Sequence, residues 1–360
     1  MQKSVEYWML YVQKNVSLHI NYVQKNVFNG HFYVQKNVDS TMERLVLQQL
    51  KEWKERKDRK PLIVNGARQV GKTWALREFA KREYAKEAYI ICRKNELVEQ
   101  VFKQDFNVER ILLSLSAIIH VDITPGDTLI ILDEVQEIPE AIEALKYFCE
   151  NAPEYHIAVA GSLLGISLHH DVSYPVGKVN EIDMYPMSYG EFLLAKGEKQ
   201  CYQLLEEHNF EITNLLHEKY VDLLRQYYYV GGMPEAVKKY VETGALKEVR
   251  RIQKEILKGY ERDFSKHSPK EQIERIKMVW KSIPSQLFKD NKKFIYGALR
   301  QGARAKDFEI AIEWLVDSGL LYKVPRCTKP ALPLDIYEDF SVFKLYLLDI
   351  GLLGAMVNVD

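Results

Sequence analysis

The stretch Pro61 to Ala75, PLIVNGARQVGKTWA, runs from a short apolar segment through a glycine loop to a lysine-threonine pair that opens a helix. Gly66, Ala67, Arg68, Gln69, Val70, Gly71, Lys72 and Thr73 fit the spacing G-x-x-x-x-G-K-[ST] of a phosphate-holding loop. Gly66 and Gly71 permit backbone angles and a close approach that a Cβ would obstruct. The peptide N–H groups between them can then form a nest for phosphate oxygens. Lys72 supplies a point charge for the outer phosphates and Thr73 a hydroxyl for Mg2+. A helix beginning near Lys72 adds free N–H groups and the positive end of its dipole. Upstream, Leu62-Ile63-Val64 reads as a buried parallel strand, with Pro61 at its start where a missing N–H is tolerated.

A pattern this short recurs by accident, so a second, independent match matters. Thr128 to Glu134, TLIILDE, is an apolar run ending in two carboxylates, as expected of a central strand delivering acids to the carboxyl edge of a parallel sheet. The spacing assigns Asp133 to the Mg2+ shell and Glu134 to the attacking water. His156 to Ser162 reads as another such strand. Two readings stand for Ser162 at its tip: a contact to the γ-phosphate or the attacking water, or a Gly-Ser turn that caps the next segment.

The chain has 360 residues, enough for two or three domains. Its 50 basic residues balance its 50 acidic ones, so no global field argues for nucleic acid or an anionic membrane. Cys92, Cys149, Cys201 and Cys327 are far apart with no C-x-x-C, which fits a reducing cytosol and argues against a zinc site or a disulfide scaffold. No apolar run approaches the length of a membrane span, and no secretory signal is visible. His169-His170-Asp171 has the residue types of a metal cluster, but neighbouring loop side chains rarely converge on one ion, so a solvated loop is the favoured reading.

Before Met42, Tyr-Val-Gln-Lys-Asn-Val occurs three times, starting at Tyr11, Tyr22 and Tyr33. The units make poor helices and do not alternate as strands, and identical wording with unrelated filler suggests repeated DNA read through from an upstream start. Met42 is therefore the expected natural first residue. From Met42 an apolar-periodic helix leads through a mixed charge run, Lys54 to Lys60, to the glycine loop. A helix over Thr73 to Tyr84, a strand over Ala88 to Cys92, a helical segment over Leu97 to Ile119, the acid-tipped strand, a helix over Pro139 to Cys149, the strand at His156 and a last strand over Glu181 to Tyr185 follow. That alternation predicts an α/β sandwich with a parallel sheet. Beyond Glu191 the periodicity is helical over Tyr202 to Leu224, Pro234 to Val241 and Ala245 to Tyr260, with Gly231-Gly232 as a break.

Glu271 to Ala355 gives three helical runs and then short strands around Leu320 to Val324 and Phe343 to Leu348, the order of a winged helix. Its reading helix would be Lys306 to Asp317, with one lysine against four carboxylates. That is the wrong sign for a phosphate-lined groove, although Arg300 and Arg304 precede it, so packing on protein is favoured over reading DNA.

The segments GARQVGKT, IILDEVQ, AVAGS, YPMSYGEFL, YVGGMPEAV and FKLYLLDIGLL together resemble those of the bacterial and archaeal predicted ATPases that join an AAA-type P-loop core to a C-terminal domain of unknown function. The resemblance runs from about Met42 to the end. It implies an α/β P-loop NTPase core on a five-stranded parallel sheet, followed by a helical segment and a winged-helix domain. The corresponding boundaries are 42–200, 201–265 and 266–360, with 1–41 outside the fold. It implies ATP and Mg2+ as ligands, with Gly66 to Thr73 on nucleotide, Asp133 and Glu134 on metal and water, and Gln136 sensing nucleotide. The activity expected is Mg2+-dependent ATP hydrolysis coupled to movement of the helical and winged-helix parts; the alternative is a nucleotide-gated or DNA-associated switch with little hydrolysis. Relatives commonly begin where Met42 stands and continue past GLLGAM into a restriction-endonuclease-like region that this sequence lacks. No arginine lies between Arg110 and Arg225, where a ring ATPase would carry its trans finger, a group worth about 10³ to 10⁵ in rate. Lys178, Arg225 and Arg262 are the candidate substitutes, and slow turnover or a partner-supplied finger is expected.

Overall fold

The computed structural model describes residues 42–161, 174–289 and 293–357. Helix α1 (Val46–Glu55) precedes β1 (Leu62–Asn65), the glycine loop and α2 (Lys72–Glu83). Then come β2 (Lys86–Ile91), α3 (Glu96–Gln104), α4 (Val108–Ile119), β3 (Thr128–Asp133), α5 (Pro139–Asn151), β4 (His156–Ala160) and β5 (Asn180–Asp183). The five strands form a parallel sheet in the order β2-β3-β4-β1-β5. Register places Ala160 between Val64 of β1 and Asp133 of β3. The loop after β1 and the acid tip of β3 therefore flank the end of β4, at the carboxyl edge where ligands of open α/β sheets bind.

Alternate residues of each strand divide between two apolar layers, as the period of two requires. Ile63, Ile130, Leu132, Ile157 and Val159 pack with α3, α4 and α5. Leu62, Val64, Leu129, Ile131, Ala158 and Ala160 belong to the layer on the other face, with α1 and α2. The single helical segment anticipated over Leu97 to Ile119 is two helices, because Asn107 accepts from the Arg110 N–H and starts a new one.

Beyond the sheet lie α6 (Tyr189–Ala195), α7 (Lys199–Glu206), α8 (Phe210–Leu215), α9 (His217–Val230), α10 (Pro234–Thr243), the 22-residue α11 (Leu246–His267) and α12 (Ile273–Leu287). The expected run from Tyr202 to Leu224 is divided among α7, α8 and α9, with Asn209 capping α8 through the Ile212 N–H. After a 3-10 turn at Tyr296–Ala298 come α13 (Ala305–Asp317), β6 (Leu321–Cys327), β7 (Glu338–Leu347) and α14 (Ile350–Met356). β6 and β7 form an antiparallel hairpin. Of the three helical runs read before this hairpin, the middle one is only that 3-10 turn.

The α2 side of the sheet has no separate boundary with these later helices. Tyr260, Phe264, Trp280, Phe308, Trp314 and Leu352 share its apolar cluster. A backbone crossing and a buried carboxylate close the joint. Met187 N donates to Gly232 O at 2.7 Å, and a Cβ on Gly232 would sit 2.0 Å from Met187 O. Asp349, fully buried, accepts from Gly232 N at 2.6 Å and Leu352 N at 2.8 Å, so one carboxylate caps α14 and holds the loop after α9. Burial pushes its pKa up to about 6 against the lowering effect of those N–H groups.

Arg44 is the pin on the amino-terminal side. Its Nε donates to Glu191 Oε1 at 2.9 Å, Nη1 to Val70 O at 2.8 Å and Nη2 to Tyr185 O at 2.8 Å. Glu191 is at the same time the third residue of the capping box that Ser188 begins on α6. The Arg44 and Glu191 side chains are 3% and 7% exposed, so removing either strands a buried charge. Glu191→Ala should cost about 3 to 5 kcal/mol. Chemical denaturation of the two proteins checks this, and an unchanged midpoint would mean that the pair does not hold the fold.

Candidate functional site

The loop between β1 and α2 is shaped by backbone that only certain residues accept. Gly66 has φ +137°, and a Cβ there would lie 2.1 Å from Met184 O; Gly71 has φ +97°. Gln69 is also left-handed, with φ 68°. No side chain among the described residues caps α2, leaving its first N–H groups open to an anion.

Lys72 is folded onto its own loop, with Nζ donating to Gly66 O at 2.7 Å and Ala67 O at 2.8 Å. Burial lowers its pKa from 10.5 to about 8, opposed by the nearby charges of Glu134 and Asp133. An incoming phosphate offers this ammonium a full charge in place of two carbonyl dipoles.

Asp133 faces the loop from the end of β3. Its Oδ2 accepts from Thr73 Oγ1 and from the Tyr89 hydroxyl, both at 2.8 Å, while Oδ1 accepts from Glu134 N at 3.0 Å. Glu134 leaves the strand in the left-handed region, φ 53°, and a 3-10 turn, Val135–Glu137, follows. Gln136 Nε2 donates to Glu134 Oε2 at 2.5 Å, and Gln136 Oε1 is buried without a hydrogen-bond partner among the described residues. The structure thus brings Thr73, Asp133, Lys72 and Glu134 together at one edge. Ser162 and the His169-His170-Asp171 segment lie outside the described residues.

Three later elements touch the loop. Tyr260 on α11 donates its hydroxyl to Arg68 O at 2.8 Å, and Arg68 Nη1 donates to Asp263 at 2.7 Å and 3.0 Å. A Cβ at Gly319, between α13 and β6, would meet Ala67 N at 3.2 Å. One on Gly71 would lie 3.6 Å from Pro234 Cγ at the start of α10. The sequence reading missed Tyr89, Tyr260 and Asp263. Tyr89 could have been found from strand parity; the other two are anonymous polar positions on an amphipathic helix.

Residues 58–193 match the family model described as an AAA domain, and residues 221–360 match that of a domain of unknown function, DUF8612. The Walker-type ATPase PABY2304 of Pyrococcus abyssi is similar in structure, with a TM-score of 0.55 at 16% identity over 92% of this chain and 99% of that one. The ORC2 protein of Aeropyrum pernix gives a TM-score of 0.40 at 11% identity over 91% of this chain and 96% of its own. No curated protein matches the chain.

The lowered pKa of Lys72 has a measurable sign. Above about pH 8 the free protein's lysine is neutral, so a polyphosphate must bring a proton with it. Affinity should then fall with rising pH, by up to about tenfold per unit. In the empty protein, the folded state holds fewer protons than the unfolded state between about 8 and 10.5, so this group adds stability as pH rises across that window. Calorimetric titration in buffers of different ionisation enthalpy checks the uptake. Binding without proton uptake at pH 9 would mean that Lys72 is charged throughout.

Proposed function

We propose, from the premise that the chain carries an AAA-type P-loop NTPase fold followed by a domain of unknown function, that it binds ATP with Mg2+ and hydrolyses it, and that the reaction moves the helical and carboxyl-terminal parts. The observation that carries the reading is the single constellation of Lys72, Thr73, Asp133 and Glu134 around one phosphate-shaped loop.

The donor set fits magnesium. Thr73 Oγ1 and Asp133 Oδ2, hard oxygens 2.8 Å apart, would hold the ion from the protein side and leave its other positions to phosphate and water, the usual arrangement for this metal. When bound, Mg2+ would neutralise charge on the outer phosphate oxygens. Tyr89 keeps the Asp133 carboxylate turned toward Thr73. Glu134, freed from Gln136, would orient the attacking water, and Lys72 would exchange the loop carbonyls for phosphate. For Ser162, which lies outside the described residues, we keep the γ-phosphate or water contact read from the sequence as its proposed role.

Coupling is supported by what rests on the loop: α10, α11 and the turn before β6 all touch it. We take 42–200 as the ATPase domain, 201–265 as helical and 266–360 as a winged helix built from α12, α13 and the β6-β7 hairpin. The exposed stripe of α13 includes Lys306 against Glu309, Glu313 and Asp317, which favours a protein partner over DNA. Among the described residues no helix is long and apolar enough to cross a membrane, and a cytoplasmic location is the one we assign.

The test is phosphate release by the full chain and by Glu134→Gln, alongside ATP binding. The variant should bind ATP and lose turnover by about 10²-fold or more. Equal release by both would discard Glu134 as the water-positioning acid; equal binding with no release from either would replace hydrolysis by the nucleotide-gated switch.

A further inference from the structure

The γ-phosphate of such a site needs positive charge beyond Lys72, and no arginine occurs in residues 111–224. Of the three candidates from sequence, Lys178 is poorly placed, and no contact ties the other two to the phosphate loop among the described residues. Lys178 precedes β5, at the amino edge of the sheet, and pairs with Glu150 at 2.9 Å. Arg225 stands 3.7 Å from Asp222 within α9, and Arg262 is exposed on α11.

Arg68 is different, because it belongs to the phosphate loop itself. Its backbone carbonyl is held by Tyr260. Its side chain is 41% exposed, and both oxygens of Asp263, only 12% exposed, engage its Nη1. Lys72 is on the same loop, and the charges of Arg68, Glu134 and Lys72 are near enough to influence one another. The Tyr260 hydroxyl on the Arg68 carbonyl and the Asp263 carboxylate on its guanidinium lay this part of α11 against the phosphate loop.

We propose that Arg68 is the site's own arginine, contacting the γ-phosphate when ATP is bound, and that Asp263 holds it in reserve when ATP is absent. The inference rests on the hydrolytic reading above. In the reaction the water oxygen bonds to the γ-phosphorus as the bond to the bridging oxygen breaks. The bridging electron pair leaves with ADP, and a water proton passes to Glu134. Negative charge spread over the three equatorial oxygens meets a guanidinium, whose planar fork suits phosphate oxygens. Only ATP presents a γ-phosphate to compete with Asp263 for that fork. Release of Asp263, and with it the end of α11, is thereby tied to ATP and not to ADP.

The experiment measures ATP and ADP affinities, with Mg2+, and phosphate release for the full chain and for Arg68→Ala, Arg68→Lys and Asp263→Asn. Arg68→Ala should lower the preference for ATP over ADP by roughly tenfold or more and turnover by about 10²-fold or more. Arg68→Lys should keep part of the preference. Asp263→Asn should raise it, because the competitor for the guanidinium has lost its charge. A purely structural clip predicts a different pattern: breaking the pair from either end loosens α11 and shifts the preference in the same direction, and that result overturns the proposal. So does an Arg68→Ala protein with unaltered preference and rate. Opposite shifts with no phosphate release from any form would remove the hydrolytic reading while leaving Arg68 on the γ-phosphate.

Discussion

The guanidinium of Arg44 ties together parts of the chain that nothing local would bring into register. It is almost wholly withdrawn from water and spends its donors on the carbonyl of Val70 in the phosphate loop, the carbonyl of Tyr185 after β5 and the carboxylate of Glu191. A buried charge is tolerated only when paired and hydrogen-bonded, so the loop, the exit of the sheet and the start of α6 must all be in place at once. Met184, one residue before Tyr185, presents the carbonyl against which Gly66 is packed. The shape of the loop is thus set from outside, by the strand beside β1, as much as by its glycines.

A loop held this firmly can respond to a ligand through side chains rather than by refolding. Lys72 rests on two neutral loop carbonyls and Arg68 on the single negative charge of Asp263; a triphosphate carries more negative charge than either set of partners. Glu134 is likewise held by Gln136. The polar centre therefore has internal partners for each charge, which keeps them from standing unpaired. Exchanging Asp263 for phosphate would change the contacts of α11, where Tyr260 and Asp263 are three residues apart on one face of the helix.

How much of this the amino-acid string discloses follows from range. The glycine loop, the acid-tipped strand and the faces of the sheet are local patterns, and each stands where its spacing says: Gly66 and Gly71 with positive φ, Asp133 at the end of β3, Thr73 against it. The breaks at Asn107 and Asn209 were blurred because helical periodicity runs through them, while the caps that restart the helix are single residues. The pairs Arg44 with Glu191 and Arg68 with Asp263 span 147 and 195 positions. No periodicity connects such partners, and Asp263 on α11 looks like any solvated acid until the fold lays it against the loop.

Contacts of the same long range join the carboxyl-terminal part to the loop. Tyr260 and Phe264 are on the helix that meets the loop, and both rings stand edge to face with Trp280 of α12, while Phe264 does the same with Trp314 of α13. These rings are close-packed and almost fully buried, and a close-packed interior transmits a displacement instead of absorbing it. If the end of α11 leaves the loop, the aromatic stack must move with it or lose its edge contacts, each worth about 0.5 to 1.5 kcal/mol beyond area burial. Rigid motion of α11 with α12 and α13 keeps those ring contacts and gives up the polar ones at the loop. On that comparison, a signal from the phosphate site would reach the β6-β7 hairpin as a body movement and not as local unfolding.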